Sequence, residues 1–188
     1  MKLIAVGDNV VDCYLDQERF YPGGNAVNVA VNCARNGAER VAYIGVFGDD
    51  AAAEHIKTCL TAEKVGWERS RKTYAVSGQP RVKLSPEGDR VFVGGVPNSA
   101  QSLFRMRLTA EDLDYISGFD CCPTSIRQCH AAGVEIAGFL TRFFESGDMG
   151  EALGYAADRA ASTCGFFGGF GYPHGFVDWT GPRPPAKP

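Results

Sequence analysis

The residues best suited to chemistry crowd into the first forty positions. Asp8 and Asp12 follow the apolar run Lys2-Leu3-Ile4-Ala5-Val6-Gly7. Behind Gly23-Gly24, the carboxamides of Asn25, Asn28, Asn32 and Asn36 recur every three or four residues. That spacing aligns them along one helical stripe, and buried amides need partners. At a Gly-rich helix start, where backbone N–H groups stand unsatisfied, a polyhydroxylated ligand is a natural partner. A plainer reading uses the same residues: a Gly-Gly turn, Asn25 capping the helix, and amides satisfied by backbone. A second set, Cys121, Cys122, Cys129 and His130, carries ligand types that suit zinc. Its spacing matches no standard zinc module and no second ligand pair follows, so no metal is expected.

These side chains need elements to position them. Lys2 to Gly7 reads as a strand covered on both faces, which puts Asp8 and Asp12 at its C-terminal end. In open α/β sheets that edge is where ligands bind. Ala26, Val27, Ala30, Val31 and Ala34 follow helical spacing, with Val29 and Cys33 widening the apolar surface. The helix should stop near Asn36-Gly37. Arg40 to Phe47 is a second strand. Gly48-Asp49-Asp50 then opens a helix with carboxylates at its positive end. The resulting β-α-β-α order predicts a doubly wound α/β sheet.

The middle of the chain changes character. Cys13 to Tyr21 reads as a peripheral strand, and Thr73–Val76, Arg81–Leu84 and Arg90–Val93 read as short strands. Pro86-Glu87-Gly88-Asp89 supplies the turn between the last two. Lid strands over about 13–21 and 73–95 would form a small antiparallel flap on the body. Thr109-Ala110-Glu111-Asp112 has the form of a capping box. Beyond Gly118 the alternation fails: Ser125–Ala132, Glu135–Glu145 and Gly150–Thr163 all read as helical, with no convincing strand between them. Tyr172–Pro188 holds five of the ten prolines and no periodicity, and reads as a tail.

Composition bounds the function classes. With 188 residues the chain can form one domain with a sizeable core. A net charge of -3 gives no electrostatic footprint for nucleic acid or acidic membrane. No apolar run approaches the length of a membrane span. The N-terminal run reads as a strand rather than a signal sequence, so a cytoplasmic location is expected. Seven cysteines, an odd and irregularly spaced set, read as reduced thiols.

Three segments in order carry a family resemblance: Gly7-Asp8-Asn9-Val10-Val11-Asp12, Gly23-Gly24-Asn25-Ala26-Val27-Asn28-Val29-Ala30, and Ile44-Gly45-Val46-Phe47-Gly48-Asp49-Asp50. Together they resemble the PfkB (ribokinase-like) family of carbohydrate kinases, in particular its members acting on fructoselysine-like sugar-amines. The resemblance implies a Rossmann-like three-layer α/β body with a small β-sheet lid, here a single domain over residues 1–171. It implies that Asp12, Gly24, Asn25 and Asn28 bind the sugar. Carboxylate and carboxamide groups accept and donate in the pairs that vicinal hydroxyls require. It also implies ATP and Mg2+ as cofactors and a small-molecule sugar or sugar-amine substrate; pairing of two lids into a homodimer is a further expectation.

The family's Gly-Ala-Gly-Asp motif is missing. Its four places fall on His130, Ala131, Ala132 and Gly133, so the residue expected to act as base is Gly133. Phosphoryl transfer needs a carboxylate to take the proton of the attacking hydroxyl, and N–H groups at a helix start to hold the developing charge. Glu135 would point about 200° away on a helix, and His130 stands three residues too early. No catalytic residue is assigned. Ile136-Ala137-Gly138-Phe139-Leu140 resembles the helix after that motif, yet it directly follows what resembles a mid-domain strand. An internal deletion near 136–138 would remove much of the ATP-binding half. It would leave a truncated sheet and uncover Phe139, Phe143 and Phe144. The expectation is a carbohydrate kinase fold impaired in catalysis; the alternative is a non-catalytic remnant that binds sugar or dimerises.

Overall fold

The N-terminal apolar run forms β1 (Lys2–Gly7), and its residues Leu3 to Val6 are buried, as a strand covered on both faces requires. The chain then leaves the body for a hairpin, β2 (Val10–Tyr14) and β3 (Arg19–Gly23), and returns straight into α1 (Asn25–Arg35). β4 (Arg40–Phe47), α2 (Ala51–Ala62) and β5 (Val65–Gly66) follow, and β6 (Arg71–Lys72) pairs with the end of β4. After β7 (Arg81–Leu84) and β8 (Arg90–Phe92) come α3 (Ala100–Leu103), α4 (Ala110–Ser117), α5 (His130–Ser146), α6 (Met149–Thr163) and β9 (His174–Gly175). This computed structural model describes residues 1–86, 88–123, 130–163 and 167–175, with backbone alone at 130–135 and 163.

Two sheets result. The body sheet is parallel, in the order β1-β4-β5, with register running from Lys2 opposite Arg40 to Gly7 opposite Gly45. One face packs α1, α2 and α5 in a single core that includes Leu3, Val27, Tyr43, Ile56 and Ala137. The other face, Ile4, Val6, Ala42 and Ile44, is covered by Met106 and by Tyr115, Ile116 and Phe119 from around α4. The body is therefore three-layered, as expected. The lid is a five-stranded mixed sheet, ordered β8-β7-β2-β3-β9.

The expected single strand over Cys13–Tyr21 is two strands. Leu15–Gln17 makes a tight turn closed by Glu18 at φ 50, and β2 begins earlier, at Val10. Thr73–Val76 is not a strand. The Ala75 carbonyl accepts from Asp49 N at 2.9 Å, so these residues cross from body to lid. β5 is only two residues long, too short to show periodicity. The tail reading fails at residues 174–175, where β9 pairs antiparallel with β3. Residues 176–188, Glu87 of the hairpin turn, Cys129, and most of the expected helix 125–132 lie outside the described residues.

The capping box is present: Thr109 Oγ1 accepts from Asp112 N, and the Asp112 side chain accepts from Thr109 N. α5 and α6 pack as a helical hairpin, with α5 against α1 through the contact of Cys33 Sγ with the Ala137 carbonyl at 3.8 Å. Of the three phenylalanines expected to be uncovered, only Phe144 is exposed. Phe139 and Phe143 are half-buried and stack on each other at 5.6 Å.

Candidate functional site

α1 begins differently from the expected Asn cap. Its N-cap is Gly24, at φ +104, and Asn25 is the first helical residue. The N–H groups of Asn25 and Ala26 donate to the two carboxylate oxygens of Asp8, at 3.1 and 3.3 Å. A charged acceptor at the end of β1 thus satisfies the positive end of α1. Gly24 is required by space as well as by its φ, because a Cβ there would lie 2.6 Å from the Asp8 carbonyl oxygen. The helix N–H groups that the sequence offered to a ligand are, in part, already held by Asp8.

Asn25 is half-buried at the helix start, and Asn28 is fully buried, 0% exposed, one turn on. Asn32 donates its amide to the Asn28 carbonyl at 2.8 Å, so this member of the stripe is satisfied by backbone. Asn36 lies past the helix as its C-cap. Asp12, 1% exposed, stands in the middle of β2 opposite Tyr21 of β3. Strand alternation puts Asp12, Tyr14 and Tyr21 on one face of the lid sheet, and Val11, Cys13 and Phe20 on the other, in the body core. Burial pushes the Cys13 thiol up to about 12, with the neighbouring Asp12 charge adding to it, so Cys13 stays protonated and is no nucleophile.

The segment Phe167–Gly175 meets both surfaces. Phe167 packs edge-on against Tyr14, its ring centroid 5.5 Å away. A Cβ on Gly168 would lie 2.7 Å from Tyr21 Cβ, and one on Gly169 would overlap the Asn28 carboxamide. Phe170 is buried in the body core, and Tyr172 donates its hydroxyl to Glu63 Oε1 at 2.9 Å. Asn28 touches this segment at Gly169, and the lid face that carries Asp12 touches it through Tyr14 and Tyr21. Sequence reasoning gave this segment no role beyond placing its residues 172–175 in the tail. Its signal was the glycine pair between two aromatics, Phe167-Gly168-Gly169-Phe170, which marks a close backbone approach.

Beneath the site, Asn9 is fully buried and anchors the ends of β1 and β4. Its amide donates to Tyr43 Oη at 2.8 Å and to the Val46 carbonyl at 2.9 Å, and its oxygen accepts from Gln101 at 3.1 Å. Gln101 in turn accepts from Gly78 N at 2.8 Å, in the segment that crosses to the lid. Gly133 lies within α5, which starts at His130, so the place of the expected base is helical. The side chains of His130 and Glu135 lie outside the described residues.

The descriptor "pfkB family carbohydrate kinase" matches residues 1–134. The fructosamine kinase FrlD of Bacillus subtilis (strain 168) is 48% identical over 126 residues, covering 67% of this chain and 44% of the relative. The fructoselysine 6-kinase of Escherichia coli (strain K12) is 34% identical over 142 residues, covering 71% of this chain and 52% of the relative. The chain thus spans about half the length of the curated relatives it matches. Among solved structures, an uncharacterized sugar kinase from Pyrococcus horikoshii in complex with ATP aligns with TM-score 0.53 and 21% identity, over 71% of this chain and 44% of that one. A putative ribokinase from Agrobacterium tumefaciens aligns with TM-score 0.52 and 17% identity, over 65% of this chain and 44% of that one. Three-layer body, lid hairpin and Gly-Gly-Asn helix start agree with these matches: the chain belongs to the pfkB family of carbohydrate kinases.

Proposed function

We propose that this chain carries the sugar-recognition part of a fructosamine- or fructoselysine-type kinase and does not by itself transfer phosphate. One observation supports the sugar side above others: Asp12 on the lid and Asn28 on α1, both buried, sit on surfaces that meet the same segment, Phe167–Gly169. Asp12, Gly24, Asn25 and Asn28 are the residues of this reading. Gly24 lets the lid hairpin turn into α1 against Asp8, and Asn25 and Asn28 project from the first turns of that helix. The ligand is a sugar or sugar-amine whose vicinal hydroxyls pair with a carboxylate and carboxamides.

The nucleotide side fits poorly. A kinase of this family needs a carboxylate base and a glycine-rich helix start for the phosphoryl group, with ATP and Mg2+ supplying that group. Here the place of the base is Gly133 inside α5. No step through ATP is derived for this chain.

A second reading, a lid-to-lid homodimer, is favoured by the outer edge of the lid. β8 ends the sheet with no further strand among the described residues, and it leaves Val91, Phe92 and Val93 exposed. An apolar, unpaired edge is a template for pairing.

Calorimetric titration with fructoselysine, ribose and fructose, and separately with ATP–Mg, tests the main reading. Sugar heat without nucleotide heat is expected, and Asp12→Ala and Asn28→Ala should each abolish it. ADP release with any of these sugars above a blank would overturn the inactive half of the proposal. Sedimentation of the native chain against Phe92→Lys tests the dimer.

A further inference from the structure

The residues that would grip a sugar are closed off from solvent. Asp12 is 1% exposed and Asn28 0%, so no ligand reaches them unless something moves. The piece lying on Asn28 is Gly169, and the piece lying on Tyr21, beside Asp12 in the lid pairing, is Gly168. Neither residue has a side chain, so the backbone itself fills the space in front of the carboxamide. We propose that Phe167–Gly175 is a built-in strap that occupies the sugar cleft and must be displaced for sugar to enter; this rests on the sugar-binding reading above.

The strap is seated by contacts outside the cleft. Phe170 inserts into the body core, with the Arg35 guanidinium 5.8 Å from its ring. Tyr172 reaches Glu63 through its hydroxyl, and its carbonyl lies 3.1 Å from His55 Nε2. His174 stacks on Phe20 with ring centroids 4.8 Å apart, while β9 lengthens the lid sheet along β3. The strap therefore ties lid to body: its last residues belong to the lid sheet, and Phe170 belongs to the core under α1. The lid cannot swing away from α1 while both ends are seated. Gly168 and Gly169 lean on the cleft beside the part-exposed Phe167, so that part can lift without emptying the core.

The test is hydrogen exchange of peptide 167–175, with calorimetry against fructoselysine, ribose and fructose, on the full chain and on Gly169→Ala and Gly168→Ala. Each substitution places a methyl group into Asn28 or Tyr21 and should lift the strap without removing a core side chain. Two variants keep the test open should one fail to fold. The strap is expected to exchange faster in a variant than in the native chain, and sugar to bind about tenfold more tightly, because apparent affinity scales with the fraction of open molecules. Saturating sugar should also speed strap exchange in the native chain. The proposal is overturned if sugar slows exchange of 167–175, which would make the strap a wall of the site. It is equally overturned if a variant frees the strap without changing affinity, or if neither variant frees it. A freed strap with no binding of any of the three sugars would instead bring down the sugar-site reading, and this inference with it.

Discussion

The carboxylate of Asp50 holds Ser77 by both of its donors, the backbone N–H at 2.7 Å and the hydroxyl at 2.7 Å. The same carboxylate caps α2 by accepting from Ala53 N at 2.9 Å. One residue thus fastens the start of a body helix to the segment that crosses into the lid. One and three residues further along that segment, Gly78 accepts from Val11 N and Pro80 accepts from Cys13 N, so the crossing is also the neighbour of β2. The position of Asp12, between Val11 and Cys13, is set from Asp50 through Ser77.

Replacing Asp50 should therefore cost more than a surface cap. Asp50→Ala removes the cap and leaves the fully buried Ser77 without this acceptor. A loss of about 2–3 kcal/mol is expected in urea unfolding, from a cap of about 1 kcal/mol and a buried donor left unsatisfied. Asp50→Asn keeps an acceptor and should recover part of it. A variant as stable as the native chain would show that the lid crossing is fixed elsewhere.

Gly24 can be separated from an ordinary left-handed glycine by comparison with Gly37. Both have positive φ, +104 and +89, but a Cβ at Gly37 meets nothing within 4 Å, whereas one at Gly24 meets the Asp8 carbonyl at 2.6 Å. Gly37→Ala should cost about 1 kcal/mol, from backbone conformation alone. Gly24→Ala should cost at least about 2 kcal/mol, because backbone must also shift. Equal costs would remove the close approach as a constraint.

Much of the body was legible because its signals are local. β4 and α2 begin where strand period and an acidic helix start place them, and the Thr109 capping box is read from four adjacent residues. The misreadings have a common cause: their determinants lie far away in the chain. α1 is served by Asp8, seventeen residues before Asn25, so a strong cap residue at 25 proved to be the first helical residue instead. β9 exists because His174 finds Phe20 across the fold, and no periodicity in a two-residue strand can announce that. Motif order points to the candidate sugar residues, but that Gly169 lies on Asn28 is a tertiary fact with only a glycine pair as its trace.

Asp8 should act on α1 through charge as well as through hydrogen bonding. Its two oxygens accept from consecutive N–H groups at the helix start. Asp8→Asn keeps one acceptor and loses the charge, and should cost about 0.5–1 kcal/mol. Asp8→Ala should cost about 1–2 kcal/mol. Raised salt should narrow the gap between native and Asn forms, since a helix-end charge is screened. A gap insensitive to salt would assign Asp8 a purely hydrogen-bonding role.

Acid should loosen the strap in two stages, because two of its anchors titrate. Burial pulls the His55 imidazole below its ordinary 6.5, opposed by the Tyr172 carbonyl and reinforced by His174. A histidine depressed in the folded state is protonated first in the unfolded one, so its contribution is whole above about pH 6.5 and declines as pH falls through that value. Burial would raise the Glu63 carboxyl, but its hydrogen bonds from Arg35 and Tyr172 win and hold it below the ordinary 4.5. That contribution is present above about pH 4.5 and is lost as pH falls through the depressed folded value. Exchange of 167–175, corrected for intrinsic rate, should therefore rise first as pH falls through about 6.5, and again below about pH 4.5. His55→Gln should flatten the first rise and leave the second; Glu63→Gln should do the reverse. A strap whose corrected exchange is constant from neutral pH to pH 4 would show that neither anchor holds it.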